Sequence, residues 1–261
     1  MYLKVFKYHL PALIIIGVVA LIGYYAHPHL PDLIPTHFDI AGNPDHYSEK
    51  GEFECVFFGF MLAFFLFILA FDIFYFYRVF QGKIMAATNW GMQGIMGIIY
   101  LSAIAFPLGI IDNFLEGMVV GLGIIGIVFT SLYLNIKSKL DEEIVGLDTS
   151  PYFERVKLSI IMMPLFFARP YFPNYIIQTK EELRILGTLY DFRLKWDDIK
   201  IIRDKNPFRA SFFPIKLATK FSGVVEIVLK NRRSSVIITP ENREAFIKSA
   251  NGFLSDPTNG V

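Results

Sequence analysis

The chain is poor in cysteine and has almost no excess charge. The one cysteine, Cys55, excludes an internal disulfide framework and a multi-cysteine metal site. Its simplest reading is a small apolar residue near a helix end. A net charge of +1 excludes the broad basic field that would argue for nucleic acid or an acidic substrate. Polar residues are scarce as well. Hydrophobic residues make up 54% of the chain, 27 of its residues are Phe, and mean hydropathy is +0.45, a composition beyond that of ordinary soluble domains. The class is an integral membrane protein, in which the placement of charges matters more than their sum.

Apolar runs at 10–26, 55–77, 92–111 and 117–136 cover roughly 25 to 35 Å as helices, against a hydrocarbon core of about 30 Å. They predict four spans. Lys4 and Lys7 precede the first, but Tyr24-Tyr25-Ala26 is a poor cleavage site, so this run reads as a retained signal anchor. Lys4 and Lys7, then Arg78 and Lys83, then Lys137 and Lys139 mark one side as cytoplasmic. Both termini fall on that side of a cell membrane. The acidic insert at 30–50 and the turn at 112–116 fall outside.

Within the spans, Asp72 is the one acid in an apolar run. It lies close to Arg78 and to the aromatic run Phe74-Tyr75-Phe76-Tyr77, where reaching interfacial water is cheap. Gly121-Leu122-Gly123-Ile124-Ile125-Gly126 fits G-x-G-x-x-G but has no preceding strand. Those glycines suit close helix packing instead.

From 140 to 173 the chain reads as a linker holding an apolar piece at 158–168, only about 16 Å long as a helix and too short to cross. Beyond it, β-rich runs at 175–178, 183–186, 192–195, 199–202, 224–229 and 236–238 are cut by polar turns. Thr239-Pro240 is expected to open a helix, with Ala245, Phe246, Ala250 and Phe253 on one face. The hairpin opening at Thr179-Lys180-Glu181-Glu182-Leu183, the Trp196-Asp197-Asp198-Ile199 step and the ending Ile237-Ile238-Thr239-Pro240-Glu241-Asn242 resemble a bacterial pleckstrin-homology-like domain over 174–256. The resemblance implies a partly open antiparallel barrel plugged by a C-terminal helix, hence a binding platform. Arg232 and Arg233, with Lys230, Lys216, Lys220 and Arg209, form a candidate basic edge for anionic lipid. A hairpin tip that simply needs polar residues accounts for them equally.

The insert LPDLIPTHFDIAGNPDHYSEK carries Pro31, Pro35 and Pro44, which bar a helix or a central strand. Gly42-Asn43-Pro44-Asp45 is a strong turn signal. His27, His29, His37 and His46 mix with Asp32, Asp39 and Asp45, enough donors for a divalent ion but without a metal-binding spacing; no metal or other cofactor is expected. Pro31, Asp32, Pro35, Thr36, His37, Phe38, Asp39, Gly42 and Asp45, directly after a first span, resemble the domain of unknown function that opens SdpI-like membrane proteins. Asp39 and Tyr47 stand where that family usually has Asn and Trp. The resemblance implies a ligand-binding outer loop, with toxin immunity or signalling as its setting.

The expected whole is therefore α+β: a four-helix transmembrane bundle at 1–139 with an extracytoplasmic loop at 27–54, followed by the small barrel. The expected function is non-enzymatic sensing or immunity. Its partners are membrane lipids, a protein ligand at the loop and a cytoplasmic protein, without nucleic acid. The alternatives are a transporter, or a metal-binding outer site with hydrolytic activity.

Overall fold

A computed structural model describes residues 2–77, 83–144, 150–156, 172–204, 215–217, 223–230 and 235–255. The chain divides into two compact units, the first ending at Leu132 and the second beginning at Tyr133.

The first unit is helical. Its elements are α1 (Tyr2–Ala26), a hairpin of β1 (Leu33–Phe38) and β2 (Pro44–Glu49), α2 (Lys50–Phe71), α3 (Ile84–Ala105) and the first part of α4 (Phe114–Ile144). Among the described residues, three stretches are long and apolar enough to cross a bilayer, Tyr2–His29, Lys50–Phe76 and Phe114–Glu142, and they mark the chain as a membrane protein. The remaining expected span is corrected in both register and character. Its helix begins at Ile84, earlier than the apolar run, because Met85, Ala86 and Ala87 are good helix formers. It ends at Ala105, where the chain turns off through Gly109 at φ +69°: Gly109 N–H donates to the Phe106 carbonyl and Ile110 N–H to the Ala105 carbonyl, each at 3.0 Å. Shifted this way, α3 adds Asn89 to the Gln93 already inside the expected run, and it is not among the stretches apolar enough to span.

Yet α3 is the most enclosed helix, burying Ala86, Asn89, Gln93, Met96, Tyr100 and Ile104 among others. Small residues let the backbones approach. A side chain at Gly97 would meet Val19 of α1, and one at Gly121 of α4 would meet Ile98. Pro11 interrupts the α1 ladder, and close by Trp90 Nε1 donates to the Tyr8 carbonyl at 2.9 Å. At its far end α2 widens into a π-helical turn, Asp72–Phe76.

The second unit holds two four-stranded sheets and a helix. The first sheet is an antiparallel meander of β3 (Tyr152–Arg155), β4 (Pro173–Gln178), β5 (Glu182–Gly187) and β6 (Asp191–Lys195). Its opening strand lies inside the segment expected as linker. Tyr152 pairs with Gln178 and Arg155 with Tyr175, a long-range pairing that no local pattern announces. The piece at 158–168 lies outside the described residues. The second sheet has the order β7 (Ile199–Asp204), β9 (Val225–Leu229), β10 (Ser235–Ile238), β8 (Ile215–Leu217). β8 runs parallel to β10 and the other pairs are antiparallel.

In β6, buried Phe192 and Leu194 alternate with exposed Arg193 and Lys195, as a strand with one covered face requires. The last helix, α5 (Arg243–Ser255), starts later than expected. Asn242 caps it, its Oδ1 accepting from Ala245 N–H at 3.0 Å. Phe246 and Ala250 are fully buried, Phe246 meets Tyr152 edge-on at 5.3 Å, and Phe253 stacks on Trp196 at 4.8 Å. Phe246→Ala is expected to cost the second unit about 3–5 kcal/mol, the usual range for a large aromatic core truncation. The check is the denaturant midpoint followed by Trp196 fluorescence in a Trp90→Phe background.

Candidate functional site

The insert folds as a two-stranded hairpin. Pro35 is tolerated in β1 because a two-stranded ribbon has only edge strands, and pairing shifts register on either side of His37. Asp32 closes the base: its carbonyl accepts from Lys50 N–H at 2.9 Å, and its carboxylate lies 3.5 Å from Lys50 Nζ. Asp39 builds the tip. Its carboxylate accepts from Asn43 N–H at 2.8 Å and from the Asn43 side-chain amide at 3.2 Å. These bonds, the backbone one first, hold the exposed Asp39 carboxyl below its ordinary value of 3.8.

The tip is docked on the α3–α4 connection. Asn113 Nδ2 donates to the Ala41 carbonyl at 2.9 Å. Phe38 stacks on Phe114 at 4.0 Å and meets Phe106 edge-on at 6.1 Å. Gly42 has φ +85°, and a Cβ there would lie 2.2 Å from Asn113 Oδ1, so both backbone and space demand glycine.

Most of the expected ligand residues thus have structural partners. Pro35 is buried, and the half-buried Thr36 keeps an enclosed Oγ1 with no hydrogen-bond partner; Pro31 is exposed at the base. What the hairpin presents is His37 and Asp45, with Nδ1 2.5 Å from Oδ1 and both side chains open to solvent, beside a fully exposed Ile40. At the hairpin's foot, His27 Nδ1 lies 2.7 Å from Glu54 Oε2, and Tyr100 donates to Glu54 Oε1 at 3.4 Å. This pair borders an open groove of about 540 Å³ lined by Tyr24, Tyr25, His27, Pro28, His29 and Glu54. Among the described residues, no three His, Cys, Asp or Glu side chains are grouped to hold a metal ion. Arg232 and Arg233 lie outside the described residues.

A second constellation lies inside the helices. His9 Nε2 is 3.0 Å from Asp72 Oδ2, Asn89 Nδ2 is 2.9 Å from His9 Nδ1, and Gln93 Nε2 is 3.4 Å from Asn89 Oδ1. All four residues are buried. Asp72 therefore does not reach for interfacial water, contrary to its expected shallow setting, because α1 supplies it with a polar partner. Sequence reasoning missed His9, Asn89 and Gln93. The available signal was the four-residue spacing of Asn89 and Gln93, which puts both on one face of a helix.

A family described as a domain of unknown function (DUF1648) matches residues 14–63, which take in most of α1, the whole hairpin and the first part of α2. This is compatible with an SdpI-like membrane domain. No match was found among curated proteins or among solved structures.

Two perturbations of the tip should agree. Gly42→Ala places a side chain in the left-handed region at about 1–2 kcal/mol and displaces Asn113. Acidification acts on Asp39: because its carboxyl is held low when folded, the stabilisation is complete above the ordinary value and is lost as pH falls through the folded one. Amide hydrogen exchange at Asn43 is expected to accelerate in the variant at neutral pH. In the native chain, protection relative to an unstructured peptide should fall only below pH 3.8.

Proposed function

We propose that this chain is a non-enzymatic, multi-pass cell-membrane protein of SdpI-like type that senses, or confers immunity to, a protein or peptide ligand outside the cell. In this reading α3 also crosses the bilayer, both termini are cytoplasmic, and the hairpin faces outward. The Lys and Arg distribution around the helix ends supports that orientation. The single observation that carries the reading is the division of labour in the hairpin. Asp32, Phe38, Asp39 and Gly42 hold it against the helix ends, while His37, Asp45 and Ile40 are left on its open surface. A rigid loop presenting an apolar tip and a His–carboxylate pair is built to meet a partner.

The second unit is read as a pleckstrin-homology-like platform for a cytoplasmic protein or anionic lipid. Its support is the strand layout, a four-strand meander followed by a second sheet of order β7–β9–β10–β8 and a C-terminal helix. The Arg232–Arg233 edge is its candidate lipid contact.

The experiment compares cells lacking the chain with cells complemented by the native form, His37→Ala or Asp45→Ala, during challenge with the peptide toxins secreted by their own population. Native complementation is expected to restore growth and each variant to lose at least tenfold protection, about 1.4 kcal/mol in ligand binding. Abundance in the membrane should be equal throughout. Full protection by both variants removes the hairpin as the contacting element.

A further inference from the structure

The polarity of the buried hydrogen bonds fixes a charge. Asn89 is oriented by more than His9: its Nδ2 faces the Phe65 carbonyl at 3.4 Å, and its Oδ1 faces Gln93 Nε2. Gln93 is oriented in turn by the Met61 carbonyl, 3.1 Å from the same Nε2. Flipping either amide would set its oxygen against a backbone oxygen, so the orientations are determined. Asn89 Nδ2 therefore donates to His9 Nδ1. That nitrogen carries no proton, His9 is the neutral Nε2–H tautomer, and Nε2–H donates to Asp72 Oδ2.

The usual way to neutralise a buried His–Asp pair, imidazolium against carboxylate, is closed, because it needs a proton on Nδ1. With Asp72 ionised, the cluster holds one uncompensated negative charge among buried groups. Among the described residues, its surroundings offer no relief. α1 presents His9, α3 presents only the neutral amides of Asn89 and Gln93, and α4 reaches α3 with apolar Ile125 and Phe129 at Gly94 and Gly91. Lys83 lies over the Tyr8 ring, 5.1 Å from its centre, and Lys4 is engaged by Tyr8 and Tyr77. Among the described residues, the basic side chain within reach of Asp72 is the neutral His9. The Gln93 Oε1 is a buried acceptor with no hydrogen-bond partner, so the site has spare acceptors and no spare donor. An isolated carboxylate in such surroundings is expensive until something positive joins it.

We propose that Asp72 is a proton-binding site within the helical unit. A proton delivered by water forms an O–H bond at Asp72 Oδ1, the oxygen not accepting from His9, and the reverse step returns it to water. The cluster alternates between neutral and singly negative, with the His9 tautomer unchanged. Asp72 opens the π-helical turn that follows α2, a local widening of the helix that recurs at functional sites. The site is independent of what the hairpin binds.

The test is infrared difference spectroscopy of the full chain in liposomes, perfused between acidic and alkaline buffers. The expected result is a carboxylic-acid C=O band that appears on acidification, shifts down in D₂O and is lost in Asp72→Asn. Nitrogen-15 NMR of His9 should show the Nε2–H tautomer on both sides of the transition. Asn89→Ala, which retains Asp72 but frees Nδ1, should let His9 become imidazolium and abolish the band, a readout independent of whether Asp72→Asn inserts. A band that survives in Asp72→Asn, an imidazolium in the native chain while Asp72 is ionised, or no pH-dependent band overturns the proposal. Loss of the band when sodium replaces choline at constant pH assigns the site to a metal cation instead and equally overturns it.

Discussion

The hydrogen bond from Asn89 to His9 is the contact on which the helical unit depends. A buried polar group has only other protein groups to satisfy it, so one amide in the second turn of α3 dictates what must stand opposite. Asn89 reaches α1 through His9 and α2 through the Phe65 carbonyl; Gln93, one turn on, reaches α2 again at Met61. α1 and α2 are thereby fixed in rotation and depth against α3. α3 is the most enclosed helix because it carries these groups. α4, with no such demand, turns Val119, Ile124 and Ile127 outward.

The same helix sets the hairpin. At the opposite end of α3, Tyr100 is fully buried, lies stacked on Phe53 at 5.7 Å and donates to Glu54, which holds His27. Beyond its last turn, Phe106 and Asn113 receive the hairpin tip. A loop with only two strands cannot hold its shape alone in water. Here its shape comes from the helix ends, and that accounts for the many fixed residue types in so short a stretch. Proline, glycine, Asp32 and Asp39 are needed to fold it, while His37 and Asp45 are left over. A residue pattern that looks like a binding signature is mostly a folding signature, and the binding surface is what the folding residues leave uncovered.

Much of this was legible in one dimension. The apolar runs mark three helices long enough to cross a bilayer, the Gly42-Asn43 turn was visible in its residue types, and alternation exposed most strands of the second unit. What escaped shares one cause, that partners distant in sequence decide the outcome. β3 is a strand because β4 offers it an edge, and its own residues read as linker. Asn242 displaced Thr239 as the helix cap because Thr239 is itself buried beyond the end of β10. α3 was placed too late in the chain because hydropathy rewards Ile110 and Ile111 and penalises Asn89, whereas packing does the reverse. Asp72 looked shallow from its neighbours in sequence. Only the position of His9, sixty-three residues away, made it an interior residue.

Glu226 in β9 is also buried, and there the fold supplies full compensation: Arg203 lies 2.9 Å from one oxygen and Ser235 donates to the other at 2.8 Å. Charge is matched, and the pair serves as a cross-strand fastening between β7 and β10. Breaking such a pair leaves an orphaned charge, which is why it persists once built. Asp72 has the burial without the match. Its partner is an imidazole whose second nitrogen is occupied by an amide donor, which holds the ring neutral. A merely structural carboxylate would gain from an Arg or a protonated His in that position. One hydrogen-bonded to a donor of fixed neutral charge gains only from an exchangeable cation. The arrangement of Gln93, Asn89 and His9 supplies the donors that keep the site ready for one.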